Sequence, residues 1–347
     1  MATACYESLK NRSVLVTGAT GKVGRHLVFA LLDLGAQVSI LTRNPDGAKT
    51  LWPSSKVEYR VGDLCDLSSL ADAVAGNEII FHLASYAPAP DEPDIYQAPA
   101  HWRISAEGTH NLLAAVHCYG GIRRLVYMSS VKVMGDRAGG GDQPADERIA
   151  PLPDSLYGRA KLEAERLVIE ANGAQGLATC VLRLPMVYGL EGQGNIARMI
   201  DAVARHRFPS WPRIENKRSA IHINDVIQAA LLAATHPAAL GQVFLLSDGR
   251  TYSTRYLYEQ IRLALGWGIP RWTLPLWILV TLAEIGSGIE KMSGKAMPLT
   301  REKLNKLTGN AWFSADKIHE YLGFEPHHHL SDEIPLMVRK YCQSRTS

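Results

Sequence analysis

The strongest constraint on this chain is a glycine pattern, Gly18, Gly21 and Gly24 in TGATGKVG, placed between a β-rich run and an apolar helical one. Residues 13–17 (SVLVT) read as a short buried strand, and residues 23–34 as a helix with an apolar face. A helix that opens directly after a strand presents unpaired backbone N–H groups and the positive end of its dipole, which suits a diphosphate. Glycines at this spacing let the ligand and the neighbouring backbone approach closely. The rest of the first half repeats the unit. Runs rich in β-formers at 37–42, 57–61, 78–83, 124–128 and 179–184 alternate with helical patterns at 67–75, 101–118 and 157–171. Such alternation predicts parallel βαβ units and an α/β fold with a doubly wound parallel sheet.

After Pro185 the pattern loosens. Residues 1–185 form a Rossmann-type domain to which 221–246 return, and 186–220 with 247–347 form a smaller, mostly helical substrate domain. Residues 136–154, rich in Gly, Pro and Asp, read as a loop over the site. Composition narrows the function classes. The balance of 37 Lys and Arg against 34 Asp and Glu gives a formal charge of +3, too little to make nucleic acid or an anionic membrane the main partner. Five cysteines, odd in number and never spaced CxxC, argue against a disulfide framework or a zinc ribbon and fit a reducing, cytoplasmic setting. The first twelve residues lack the apolar core of a secretory signal. The apolar run 274–283 is about half the roughly 20 residues that span a bilayer, so no membrane span is expected. Residues 274–288 read as a helix buried on one or more faces; a membrane-surface helix calls for a basic polar face, which this segment itself lacks.

The diphosphate loop brings Gly18, Thr20, Gly21, Lys22, Val23 and Gly24 into the cofactor set. Past the second strand the sequence runs ILTRN, with no carboxylate to hold adenosine ribose hydroxyls. Arg43 stands there instead and pairs with a 2′-phosphate, which favours NADP, with NAD as the alternative. Asp63 in VGDL is placed for the adenine amine, beside Leu64, and Leu83, Ala84 and Ser85 at the end of FHLAS line the cofactor's path.

Tyr157 and Lys161 form YxxxK at the start of a helix, so both project from one face, one turn apart. A neighbouring ammonium stabilises a phenolate and lets tyrosine act as acid or base nearer neutrality, while the other ammonium protons hold the nicotinamide ribose. Tyr6 and Lys10 repeat the spacing ahead of the diphosphate loop, where no active site forms. Order separates the two pairs. Ser130, at the end of the strand before the helix, is placed to donate to the substrate oxygen that gains or loses a proton.

Taken together, TGATGKVG, VGDL, FHLAS, YMSSVKVMGD, YGRAK and LRLPMVYG, in that order through Gly189, resemble the extended short-chain dehydrogenase/reductase family, in its NAD-dependent epimerase/dehydratase branch. The resemblance implies that Ser130, Tyr157 and Lys161 are a catalytic triad and that Pro185 and Val187 flank the nicotinamide. It also implies a homodimer through helices at 100–118 and 156–171. Two departures stand out. Ser105, in ISAEGT, replaces the family's usual asparagine on the cofactor side. Met134, in KVMGD, replaces its tyrosine at a substrate-facing position.

The second half suggests the substrate. Asn195, after Gly194, opens a helix suited to a nucleotide diphosphate. Arg218 in KRSAIHINDV resembles the phosphate-binding arginine of the nucleotide-sugar members, with Lys217 and Arg213 adding charge, and Ser130, Lys132 and Met134 complete the expected substrate set. This reading gives a UDP-sugar 4-epimerase or 4-keto-sugar reductase. Residues 297–304 and 313–326 are similar in style to 3β-hydroxysteroid dehydrogenases and dihydroflavonol reductases, which keeps a hydrophobic alcohol open as substrate. A catalytically silent NADP-sensing regulator on the same fold is the alternative of another class. His222 and Asp225 read as packing and capping residues and 327–329 as a histidine-rich loop, so no metal site is expected.

Overall fold

The computed structural model describes residues 8–53, 56–87, 95–136, 138–190, 194–293 and 297–346. Its strands are β1 (Ser13–Thr17), β2 (Gln37–Thr42), β3 (Glu58–Val61), β4 (Ile79–His82), β5 (Arg124–Ser130), β6 (Ala178–Leu184), β7 (Met186–Tyr188), β8 (Ala220–His222) and β9 (Gln242–Leu245). Seven of them form one parallel sheet in the order β3-β2-β1-β4-β5-β6-β9, and β7 pairs with β8 in a second, two-stranded parallel sheet. The order reverses between β1 and β4, so the crevice beyond their carboxyl ends is where this fold receives a ligand.

Alternation along the strands explains the two layers. Val14 and Val16 of β1, Ile79 and Phe81 of β4, Val126 and Met128 of β5, and Cys180 and Leu182 of β6 face one core. Leu15, Ile80, Leu125, Tyr127 and Val181 face the other. Strands buried on both faces require helices on both, as parallel sheets do. The helices are α1 (Lys22–Asp33), α2 (Gly108–Tyr119), α3 (Leu156–Glu170), α4 (Asn195–Ala204), α5 (Ile223–Thr235), α6 (Thr254–Ala264), α7 (Leu276–Ser293), α8 (Arg301–Thr308), α9 (Asp316–Leu322) and α10 (Leu330–Thr346), besides single turns at Pro45–Lys49 and Ala71–Val74. Leu27, Val28 and Leu31 of α1 join α5 on the first face, while Leu112 and Ala115 of α2 and Ala164 and Val168 of α3 cover the second. Burial of each such valine or leucine side chain is worth about 1.5–3 kcal/mol.

A separate cluster holds Trp211, Tyr252, Leu257, Ile261, Leu279, Ile334 and Val338, drawn from the loops after α4 and before α6 and from α6, α7 and α10. Ile318, Leu322 and Phe324, in and after α9, leave that cluster and pack beside β9 in the first core of the sheet. The later chain therefore contributes both to a helical subdomain and to the sheet's own core.

Candidate active site

The site grows from the turn between β1 and α1. Gly18 has φ +68°, and a Cβ there would lie 2.6 Å from the Ala84 nitrogen; one on Gly24 would lie 2.3 Å from the Gly18 oxygen. No side chain caps α1 at Gly21, and no acid occupies its first turn, so its N–H groups and dipole stay available to an anion. Thr20 is exposed, and Lys22 and Val23 are half-buried at the start of the helix. Arg43 is exposed at the end of β2 and takes no ion pair among the described residues. One Asp63 carboxylate oxygen accepts the Cys65 N–H at 2.9 Å, and the buried Leu64 gives its carbonyl to Asn111 at 2.9 Å. Ala84 donates its N–H to Thr17 Oγ1 at 3.3 Å, next to Leu83.

Several oxygens on β5 and on the chain that follows β4 are buried without a partner among the described residues: Ser85 Oγ, Ser105 Oγ, Tyr127 Oη and Ser129 Oγ. Buried polar atoms in folded proteins are nearly always satisfied, so a cluster of orphans at a crevice is what an absent polar ligand leaves. With the glycine cradle and the uncapped helix, these residues fit a dinucleotide. Ser105 itself is fully buried in a π-helical turn, Trp102–Glu107, where its carbonyl accepts from Thr109 Oγ1 at 2.5 Å. Such turns are frequent at functional sites.

Ser155 caps α3 by accepting the Gly158 N–H at 3.1 Å, which starts the helix so that Tyr157 and Lys161 fall on one face. Lys161 is only 3% exposed, and its Nζ donates to the Met128 carbonyl at 2.9 Å while lying 4.8 Å from the centre of the Tyr127 ring. Burial pulls its pKa down to about 8, against the opposing pull of the Glu165 carboxylate. Tyr157 is half-buried, and its backbone N–H is held by Tyr96 O at 2.9 Å. Desolvation pushes its phenol up to about 12, and a hydrogen bond with Ser130 draws it back part of the way. The structure thus brings Ser130, Tyr157 and Lys161 together, with Pro185 and Val187 half-buried just past Leu184, the register partner of Ser130.

His82, Tyr96, His101 and Lys306, which the sequence did not single out, complete the surroundings with the expected Lys132, Arg218 and Asn195. Thr17 Oγ1 meets His82 Nδ1 at 2.7 Å and His82 Nε2 meets Thr109 Oγ1 at 2.9 Å, a buried chain across the switch point. Burial, assisted by the Lys161 charge, holds His82 neutral with a pKa down to about 3. The signal was a polar residue at an inward position of a buried strand, inside FHLAS. Tyr96 and His101 pack their rings 5.8 and 4.9 Å from Tyr157. Lys132 and Lys306 lie 5.4 and 4.4 Å from the Tyr96 ring centre, paired respectively to Asp136 and Glu302. Arg218 donates to the carbonyls of Lys306 and Gly309, not to Asp225, and faces the field of Asp136 and Tyr96; desolvation lowers its pKa. Asn195 is exposed at the uncapped start of α4.

Met134 requires a correction. It is 2% exposed and accepts from Arg183 Nη1 at 3.0 Å, so it packs behind the strand instead of facing substrate. Arg183 is buried against Glu165, and the thioether fills the side of that pair. His222 caps α5 by accepting the Asn224 N–H, but the histidine loop is more than a surface tract, because His328 Nδ1 meets Asp225 Oδ1 at 2.9 Å and stacks on His222 at 4.2 Å. These three could gather around a cation. The Asp225 carboxylate is already taken by the N–H groups of His327 and His328 as well, which makes the cluster a latch for the C-terminal segment. Tyr6, residue 137 and residues 191–193 lie outside the described residues. A groove of about 820 Å³ runs along the opposite, amino end of the sheet past Ser13, Gln37, Ser39, Glu58 and Arg60, and holds none of these groups.

The NAD dependent epimerase/dehydratase family model matches residues 14–247. UDP-glucose 4-epimerase of Vibrio cholerae is 26% identical over 341 residues, 96% of either chain. The 3 beta-hydroxysteroid dehydrogenase/Delta 5-->4-isomerase of Mycobacterium tuberculosis is 29% identical over 330 residues, 90% of this chain and 86% of that one. Among solved structures, MoeE5 in complex with UDP-glucose and NAD superposes with a TM-score of 0.72 at 25% identity, covering 96% of this chain and 99% of that one.

Proposed function

The chain belongs to the NAD-dependent epimerase/dehydratase family of extended short-chain dehydrogenase/reductase enzymes, and from that premise we propose that it acts at C4 of a nucleotide-diphosphate sugar, as a UDP-sugar 4-epimerase or 4-keto-sugar reductase. The observation that carries this reading is the basic wall beside the reacting tyrosine. Lys132 and Lys306 lie over the Tyr96 ring, Arg218 beside Lys306 feels the field of Tyr96, and Tyr96 in turn packs on Tyr157. Arg218 has five N–H donors and gives one nitrogen to carbonyls, so the rest of its fork suits a diphosphate.

In this reading the loop from Gly18 to Gly24 holds a nicotinamide dinucleotide, Asp63 and Leu64 border its adenine, and Ser85 and Ser105 border its path. When bound, the nicotinamide supplies or accepts hydride. Arg43 selects NADP over NAD through a 2′-phosphate. Tyr157, protonated at neutral pH, gives its proton to the substrate oxygen in the reducing direction. Ser130 steadies that oxygen with a hydrogen bond. Lys161, still charged at pH 7, stabilises the phenolate that Tyr157 becomes on giving up its proton. Running the same transfers backwards takes a proton from a C4 hydroxyl. A homodimer through α2 and α3 belongs to the same proposal.

A second reading, oxidation of a 3β-hydroxysteroid or similar apolar alcohol, is favoured by the mycobacterial relative. The test is calorimetric binding of UDP-glucose to the protein saturated with NADP or NAD, for wild type and Arg218→Ala, alongside turnover assays with UDP-sugars and a 3β-hydroxysteroid. Micromolar UDP-glucose binding that Arg218→Ala weakens at least tenfold, with dinucleotide affinity kept, supports the sugar reading. Turnover of the steroid alone, or binding indifferent to Arg218, overturns it.

A further inference from the structure

Helix α7 leaves one face uncovered. Leu279, Ala283 and Gly286 are buried against the helical subdomain, whereas Leu282, Ile285 and Ile289 are about half exposed and Met292 is 90% exposed. At about 100° per residue these four, with Trp277, span an arc of about 140° opposite the buried line. Trp277 is 69% exposed, and Trp272 in the preceding loop is 68% exposed. Isolated apolar side chains on a surface are ordinary; a contiguous set of this size marks a contact.

The charge around the face indicates what makes that contact. The sequence of α7 offers few cations, but folding supplies them from a second loop. Ser210 donates to the Trp272 carbonyl at 2.7 Å and accepts the Leu274 N–H at 2.9 Å, which fixes residues 206–213 beside the tryptophans. Arg207 and Arg213 of that loop, Arg271, and Lys291 at the far end of α7 are all exposed, and none takes an ion pair among the described residues. The acids of α7 are engaged, Glu284 by Arg301 and Glu290 by the Met297 N–H. No helix among the described residues is long and apolar enough to cross a membrane. We propose that this face docks on an anionic lipid surface, with α7 lying in the plane of the interface, its apolar arc among the acyl chains, the two tryptophans at headgroup level and the arginines on lipid phosphates.

The test uses the full-length protein and sedimentation with vesicles of phosphatidylcholine and phosphatidylserine in equal parts, against vesicles of phosphatidylcholine alone. The expected result is co-sedimentation with the mixed vesicles and a blue shift of tryptophan emission. Trp272→Ser with Trp277→Ser should weaken the binding at least tenfold while circular dichroism and dinucleotide binding stay unchanged. Should that double variant fail to fold, Arg207→Glu with Arg271→Glu carries the test, since two reversed charges should cost about tenfold or more on the mixed vesicles. Wild-type protein remaining in the supernatant overturns the proposal, as does a folded variant that binds like wild type. A wild-type oligomer that the tryptophan variant splits into monomers also overturns it, because a second copy then covers the face.

Discussion

Lys161 Nζ donates to the Met128 carbonyl across 2.9 Å, and that bond ties the helix carrying Tyr157 to the strand end carrying Ser130. The lysine is therefore fixed from the strand side, and its position relative to the phenol does not depend on a flexible four-carbon stem. A site held on a helix and a strand in this way keeps its geometry without a ligand.

Tyr157→Phe tests the proton step alone. Phenylalanine keeps the ring contacts with Tyr96 and His101 but removes the proton that Tyr157 shares with Ser130. Turnover should fall by about 10²–10⁴, the usual size of a general acid–base contribution, with dinucleotide affinity within a few-fold of wild type. Near-normal kcat would remove Tyr157 from the chemistry.

The depressed pKa of Lys161 carries a stability signature. The folded lysine releases its proton near pH 8, whereas the unfolded chain holds it until about 10.5, so between those values the unfolded state binds more protons. Stability must then rise with pH across that window, by up to roughly 3 kcal/mol relative to a variant without the titration. Urea melts of the cofactor-free protein and of Lys161→Met from pH 7 to 10.5 would show it as a widening difference in favour of wild type. Parallel curves would place the folded pKa at its ordinary value.

The fold was legible because strands buried on both faces read as short, β-rich apolar runs, and those runs alternate along the chain with helical periods. The same holds for Tyr157 and Lys161, whose one-turn spacing is local. Lys306 was not legible: it reaches Tyr96 from α8, more than two hundred residues away in the chain, and no local pattern announces such a meeting. Met134 failed for a related reason. The resemblance suggested the cleft, but the side chain packs inward with Val133, Ala145, Leu245 and Phe313, its sulfur against Arg183. His328 likewise gained a role only because Asp225 lies at the start of a helix that the C-terminal segment crosses.

Arg183 and Glu165 form a bidentate pair at 2.7 and 3.0 Å with side chains 6% and 4% exposed, directly behind the catalytic strand. Removing one member leaves the other charged in a dry site, at a cost of about 3–5 kcal/mol. Glu165→Ala should therefore lower the denaturation midpoint sharply. Replacing both residues by apolar ones of similar volume, Glu165→Met with Arg183→Met, should recover much of the loss. Equal destabilisation in the double variant would mean that the pair is worth more than its desolvation.

His82 links the diphosphate loop to the turn that holds Ser105, and its two ring nitrogens are both occupied by threonine hydroxyls. Fully buried, it stays neutral down to about pH 3, while in the unfolded chain it takes a proton near 6.5. As pH falls through that range the unfolded state gains a proton that the folded state refuses, and stability drains away by up to roughly 5 kcal/mol at the acid end. His82→Gln keeps hydrogen-bonding groups but does not titrate. At pH 7 the variant should be the less stable protein, since glutamine does not span Thr17 and Thr109 in the same geometry. Its deficit should shrink steadily between pH 6.5 and 4, because only the wild type loses this increment on acidification. Paired urea melts across that interval check the sign, and the imidazole proton resonances of His82 in the folded protein should show no titration above pH 4. A resonance that titrates near 6.5 would mean that the Thr17–His82–Thr109 chain opens in solution, and the acid sensitivity assigned to it would then have another source.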